Sequence, residues 1–166
     1  MKRGLPPIVW PNARILVLGS LPGDESLRKQ QYYGNPRNQF WAILSRVFDD
    51  DVGAEYPQRL AFLEKHGIAL WDVIRSTDRQ GSLDSNIRNE CPNDFATLFD
   101  ALPGVHTIAL NGSKAAAAFA RHVRPTCADW LSTRRVLTMP STSAVPARRF
   151  LDVDAKAEFW KAISLR

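Results

Sequence analysis

Residues 14–23 read RILVLGSLPG, an apolar run that passes directly into a loop containing glycine and proline. The run has no polar alternation and is rich in residues that favour strands, which predicts a strand buried on both faces. The loop extends to an apolar helix near Phe40, and a loop this long within a compact domain is usually functional. Ligands of parallel α/β sheets bind at the carboxyl ends of strands, so we place the candidate active site here.

Further apolar runs predict strands at 68–74, 105–110 and 135–139. Helical spacing of apolar residues predicts helices at 37–48, 57–65, 94–102 (with Asn93 as N-cap), 114–121 and 154–163. The segment 75–93 is polar and is predicted to be a second long loop. The alternation predicts an α/β fold, a three-layer α/β/α sandwich around a parallel four-stranded sheet. Right-handed crossovers then bring the carboxyl ends of the strands to one rim.

The composition bounds the class of protein. The 166 residues fit one domain, which we assign to residues 1–166. A net charge of +5 favours an anionic partner, with nucleic acid first. We find neither an apolar run that approaches the roughly 20 residues of a membrane span nor a secretion signal. The two cysteines, Cys91 and Cys127, are too few for a four-cysteine metal site. We therefore expect a cytoplasmic protein with reduced thiols.

Four polar elements follow the predicted strands: the first loop, Asp72, Asn111 and the segment 140–149. Residues 19–23, a Gly-x-x-Pro-Gly loop, resemble motif one of the uracil-DNA glycosylase superfamily, and residues 140–143 resemble its motif two. The segment YGNPRNQFW at 33–41 resembles the stretch after motif one in the mismatch-specific branch. The whole pattern is similar to the hypoxanthine-DNA glycosylases. This resemblance covers most of the chain and implies a sheet order of 2-1-3-4.

The resemblance implies an enzyme that flips a damaged base out of DNA and hydrolyses its glycosidic bond through an oxocarbenium-like sugar. Such an enzyme needs an aromatic surface for the base, amides that read the base edge, a loop that fills the duplex and cations for phosphates. The predicted base-binding residues are Gly19, Ser20, Leu21, Tyr33, Asp72 and Asn111. The predicted DNA-binding residues are Pro140, Ser141, Thr142, Ser143, Arg148 and Arg149.

One position departs from the mismatch-specific relatives. There an Asn positions the attacking water, whereas this chain has Leu21, which cannot bind a water molecule. The resemblance to the hypoxanthine branch implies that Asn38 takes this role, because an Asn carbonyl can orient water. Asn38 is therefore the predicted catalytic residue.

Each of these side chains also has a purely structural interpretation. Asn38 could cap the following helix, since Asn is a preferred N-cap. Tyr33 could be a core aromatic, with Tyr32 stacking on the base instead. Asp72 could cap a turn or pair with an arginine, and Asn111 before a glycine is typical of a turn.

The sequence as a whole favours a monofunctional DNA glycosylase that excises deaminated bases, hypoxanthine first and uracil second. We expect a monomer that acts on double-stranded or single-stranded DNA without a metal or cofactor. Three alternatives stay open: a uracil or thymine mismatch glycosylase, a catalytically silent lesion-binding module, and an α/β nucleotide-binding protein.

Overall fold

The computed structural model of the protein describes residues 2–78, 89–144 and 152–165. Its strands are β1 (Lys2–Arg3), β2 (Ile15–Gly19), β3 (Ile68–Asp72), β4 (Ile74–Thr77), β5 (Cys91–Pro92), β6 (Thr107–Asn111) and β7 (Arg135–Met139). Its helices are α1 (Asp24–Lys29), α2 (Phe40–Phe48), α3 (Tyr56–His66), α4 (Phe95–Asp100), α5 (Ser113–His122), α6 (Ala128–Leu131) and α7 (Val153–Trp160). A turn of 3₁₀-helix, Lys161–Ser164, follows α7.

The central sheet is four-stranded and parallel, in the order β3-β2-β6-β7. Counted along the chain, these are the four predicted strands in the order 2-1-3-4, so the predicted fold is confirmed. The register aligns the last residues of neighbouring strands, with Gly19 beside Asp72 and Asn111 beside Met139. Four strand ends therefore deliver their side chains and loops to one rim of the sheet.

Successive residues of β2 enter two different hydrophobic cores. Leu16 and Leu18 pack on one face of the sheet with residues of α4, α5 and α6. Ile15 and Val17 pack on the other face with residues of α2, α3 and α7. Side chains of a strand alternate between faces, and helices cover both faces here, so the whole run must be apolar.

The structure corrects the prediction of a single strand over 68–74. The chain leaves the parallel sheet after Asp72, and β4 joins a small separate sheet in the order β1-β4-β5. Part of the segment predicted as a polar loop at 75–93 is therefore strand. Residues 79–88 of that segment lie outside the described residues.

Several predicted helix ends also change. The helix predicted at 37–48 begins only at Phe40, and α4 is capped by Asp94, which accepts from the N–H of Thr97, instead of by Asn93. The long first loop contains α1, which the sequence analysis did not predict. Among the described helices, none is long and apolar enough to cross a membrane.

Candidate active site

A pocket of about 460 Å³ opens at the carboxyl ends of the parallel strands. It is bordered by the loop after β2, the end of β3, the end of β6 and the loop after β7. The predicted site residues that line it are Gly19, Ser20, Leu21, Tyr33, Asn38, Asp72, Asn111, Ser141, Thr142 and Ser143. Its size is within the usual range for small-ligand sites and suits a nucleobase. Arg148 and Arg149 lie outside the described residues.

Gly19 and Asp72 form the floor of the pocket, where β2 and β3 end side by side. The Asp72 side chain is buried, and a Cβ built on Gly19 would lie 2.5 Å from its Oδ1 atom. The same Cβ would lie 3.5 Å from the hydroxyl of Tyr33. Gly19 is therefore needed for space: no larger residue fits while Asp72 and Tyr33 keep these positions.

Tyr33 presents an aromatic ring to the pocket. Phe40 stacks on one face of this ring at a centroid distance of 3.9 Å, and the Tyr33 hydroxyl accepts a hydrogen bond from Nδ2 of Asn111 at 3.2 Å. Tyr32 is more deeply buried, and its hydroxyl donates to the carbonyl of Pro6 at 2.8 Å. Tyr32 is thereby held in the core, so the geometry favours Tyr33 over Tyr32 as a stacking surface.

Burial raises the pKa of Tyr32, Tyr33 and Tyr56 above the ordinary value of 10.0, and the nearby Asp72 carboxylate adds to this effect for the first two. These are the three tyrosines of the chain. We expect the folded protein to show little tyrosinate absorbance as the pH passes 10.0. Because the pKa of each tyrosine is higher in the folded than in the unfolded state, the free energy of unfolding keeps its full tyrosine contribution below pH 10.0. This contribution decreases as the pH rises above 10.0. Spectrophotometric titration beside a thermal melt tests this, and free titration of the folded protein near pH 10.0 would contradict it.

Asn38 lies at the pocket edge, just ahead of α2. Its Oδ1 accepts from the N–H of Phe40 at 3.0 Å, an Asx-turn contact one residue ahead of the N-cap, Gln39, whose own side chain makes no capping hydrogen bond. A carbonyl oxygen has a second lone pair, and Nδ2 makes no hydrogen bond with the described residues. Asn38 is therefore not the N-cap of α2, although its Oδ1 does satisfy a backbone N–H of the first turn, and its side chain keeps hydrogen-bonding capacity at the pocket edge.

Asn111, at the end of β6, forms hydrogen bonds with both the first loop and the loop after β7. Besides the contact with Tyr33, Nδ2 donates to Oγ1 of Thr142 at 3.0 Å, and Oδ1 accepts from the N–H of Thr142 at 2.9 Å. Both amide hydrogens are therefore used within the protein. Thr142 is only 1% exposed, which argues against the predicted direct contact of this side chain with DNA. Ser141, by contrast, is exposed.

The loop after β7 is held at several consecutive residues. The Pro140 carbonyl accepts from Nε1 of Trp160 at 3.0 Å, and the Thr142 carbonyl accepts from the N–H of Gln39 at 2.9 Å. Gly112, at φ +92°, sits against this loop, and a Cβ there would lie 2.9 Å from Cβ of Ser141. The described part of the loop is thus connected to α7 and to the segment before α2.

Leu21 differs from the other predicted base-binding residues, because its side chain is 7% exposed and packs in the core. Any hydrogen bond from Leu21 to a ligand in the pocket must therefore come from its backbone. Two acidic residues of the lining that were not predicted from the sequence, Asp24 and Glu25, lie in α1. Asp24 pairs with Lys2, and Glu25 pairs with Arg28 at 2.5 Å. Their position next to motif one was the available signal.

Comparison with known proteins identifies a matching family and two relatives of this chain. The family model of the uracil DNA glycosylase superfamily matches residues 6–164. Two relatives are named hypoxanthine DNA glycosylase. The one from Methanosarcina barkeri is 43% identical over 114 residues, 68% of this chain and 72% of the relative. The one from Methanosarcina acetivorans is 45% identical over 116 residues, 69% of this chain and 73% of the relative.

The fold also matches a solved structure. A solution NMR structure of a Methanosarcina acetivorans protein, proposed to be a uracil DNA glycosylase, superimposes with a TM-score of 0.81 at 38% identity. The match covers 98% of this chain and 96% of that one.

Proposed function

The chain belongs to the uracil DNA glycosylase superfamily and is a DNA glycosylase, and from this premise we propose that it excises hypoxanthine from deaminated DNA. The observation that supports this most is the convergence of both motif-like loops, Tyr33, Asp72 and Asn38 on one pocket. The names of the two Methanosarcina relatives support the choice of base.

The residue types of the pocket suit an extruded base. We assign the Tyr33 ring, which lines the pocket, as the stacking surface, and the backbone N–H groups of the loop that begins at Gly19 as donors for a carbonyl. The carboxylate of Asp72 offers an acceptor for a ring N–H. Hypoxanthine presents a carbonyl next to a ring N–H, which matches this donor and acceptor pair.

We assign the attacking water to Asn38, whose side chain lies where the loop enters α2. The water oxygen bonds to the sugar carbon as the glycosidic bond breaks, and the base leaves with the bonding electrons. The water loses one proton and the departing base takes up one proton from solvent, so charge balances. This step gives a free base and an abasic site, with the strand unbroken. The pocket contributes chiefly by holding the water and the sugar in register.

Asn111 is assigned a positioning role instead of the direct base contact predicted from the sequence. Its amide is occupied by Tyr33 and Thr142, so it sets the orientation of the stacking ring and of the loop after β7. Thr142 is assigned to the same scaffold, while Ser141 and Ser143 stay candidates for DNA contact.

DNA binding is expected to depend on salt, because cations that contact phosphates release counterions. Replacing Arg148 and Arg149 by alanine should reduce the slope of log Kd against log salt by up to about 2. Replacing Arg14 and Lys65, which precede β2 and β3 at the opposite edge of the sheet, serves as the control and should leave the slope unchanged. If both double variants show the same slope, Arg148 and Arg149 are not part of the interface with DNA.

We further propose that residues 1–166 act as one glycosylase domain, as a monomer in the cytoplasm, on double-stranded or single-stranded DNA. Uracil is the second candidate base, since its edge also carries a carbonyl beside a ring N–H.

The base preference can be measured with four otherwise identical duplexes that contain inosine, uracil, xanthine or ethenocytosine. Single-turnover incubation followed by alkali converts each abasic site into a strand break. We expect the inosine duplex to react fastest and the uracil duplex second. A faster reaction with uracil would replace hypoxanthine by uracil as the substrate.

A further inference from the structure

Lys156 is a buried lysine close to the candidate active site. It lies in α7 and is only 8% exposed. Its Nζ donates to Oε1 of Gln39 at 2.6 Å and to the carbonyl of Ser143 at 3.3 Å. The side chain therefore reaches from α7 to the segment before α2 and to the loop after β7.

Burial of this ammonium is unfavourable for folding. Desolvation lowers the pKa of Lys156, and both of its hydrogen-bond partners are neutral oxygens. In the described part of the chain, no carboxylate forms an ion pair with it. An apolar side chain of similar length would occupy this site without the cost of desolvating a charge. A requirement for stability alone does not account for a lysine here.

The two partners of Lys156 belong to the segments that form two neighbouring walls of the pocket, the stretch around Asn38 and the loop after β7. Gln39 directly follows Asn38, while Ser143 ends the lining contributed by the loop after β7. The backbone N–H of Gln39 also donates to the carbonyl of Thr142 at 2.9 Å. Lys156 thus adds a second connection beside a single backbone hydrogen bond, and together they set the distance between the two walls.

We propose that Lys156 is a positioning residue of the glycosylase, which holds the Asn38 segment in register with the loop after β7. This inference rests on the proposed function, because it assigns the chemistry to the pocket between these walls. Displacement of a reacting group by about 1 Å can reduce a rate by about 100-fold. Loss of the ammonium therefore acts on the chemical step more than on DNA affinity.

The test is a double-mutant cycle with Lys156→Met and Gln39→Ala, in single turnover on whichever lesion duplex the wild-type protein cleaves best. Each single variant should lower the maximal rate by about 10-fold or more, with Kd for DNA within about threefold of wild type. The rate of the double variant should lie within about threefold of the rate of the slower single variant, because both changes remove the same contact. Lys156→Gln keeps a donor and should recover part of the rate; it also replaces Lys156→Met if that variant does not fold.

Lys161→Met is the matched control. Lys161 follows α7, is exposed and pairs with Glu158. Its replacement also removes one positive charge, but at a position away from the pocket, so the rate should not change. The proposal would be overturned if Lys156→Met reacted within threefold of the wild-type rate. It would also be overturned if the rate loss of the double variant equalled the product of the two single losses, or if the variants lost only DNA affinity. Failure of the hypoxanthine assignment would appear in the wild-type lesion panel and would leave this cycle interpretable on another lesion.

Discussion

Asn38→Ala is expected to lower the single-turnover rate of base excision by about 100-fold or more, comparable with the loss of one preorganised polar group. The side chain borders the pocket, and its Oδ1 has a second lone pair beyond the bond from the Phe40 N–H. Without it, the attacking water loses its orienting group, since Leu21 at motif one is apolar and turned into the core. Asn38→Asp should retain part of the activity, because a carboxylate also orients water.

Loss of the hydrogen bond from the Phe40 N–H should cost only about 1 kcal/mol of stability, so the effect on rate must be separated from an effect on folding. Asp94→Ala supplies the matched control, because Asp94 caps α4 through the N–H of Thr97 and does not line the pocket. It should lower the melting temperature by a similar amount and leave the rate unchanged. If Asn38→Ala melts early yet excises the base at the wild-type rate, Asn38 only stabilises the start of α2.

Gly19→Ala is expected to produce a loss of similar size by a different route. The added methyl would lie 2.5 Å from Oδ1 of Asp72, so the carboxylate or the strand end must move. Such overpacking typically costs about 1–3 kcal/mol of stability. Because the displaced groups form the floor of the pocket, the rate of excision should decrease by about 100-fold.

Gly104→Ala controls for the general cost of a methyl group. Gly104 lies before β6, at the opposite edge of the sheet, and a Cβ there would meet only the carbonyl of Ala13 at 3.2 Å. It should keep the wild-type rate. A fully active Gly19→Ala protein would show that the position of the Asp72 carboxylate is unimportant for the reaction.

The parallel sheet could be predicted because its information is local. Runs such as Ile15–Gly19 are short and apolar on every residue, and together with the flanking turn residues this pattern is typical of a strand covered on both faces. The strand order came from the resemblance between short motifs, since apolar runs alone do not determine which strands are neighbours.

Elements that depend on distant contacts were missed. The sequence of α1, DESLRK, is short and polar. Strand β4 pairs with β1 near the start of the chain and with β5 at residues 91–92. Asn93 and Asp94 are both good caps, and spacing does not distinguish them; in the structure the Asn93 amide instead donates to the carbonyl of Asp72.

The position of the candidate site was predicted from the sequence more accurately than the hydrogen bonds within it. Strand ends predict where Asp72 and Asn111 lie, because parallel strands finish at one rim. The Asn111 amide donates to Tyr33 and Thr142, and Lys156 donates to Gln39. These hydrogen bonds depend on distances of a few ångströms between segments that are remote in sequence. No sequence pattern records such distances.

The most direct measurement is chromatographic detection of the base released from an inosine-containing duplex by excess protein. We predict that free hypoxanthine appears in an amount equal to the abasic sites, that the strand stays intact until alkali is added, and that Asn38→Ala slows the release by about 100-fold. Binding of the duplex without release of any base would contradict the account.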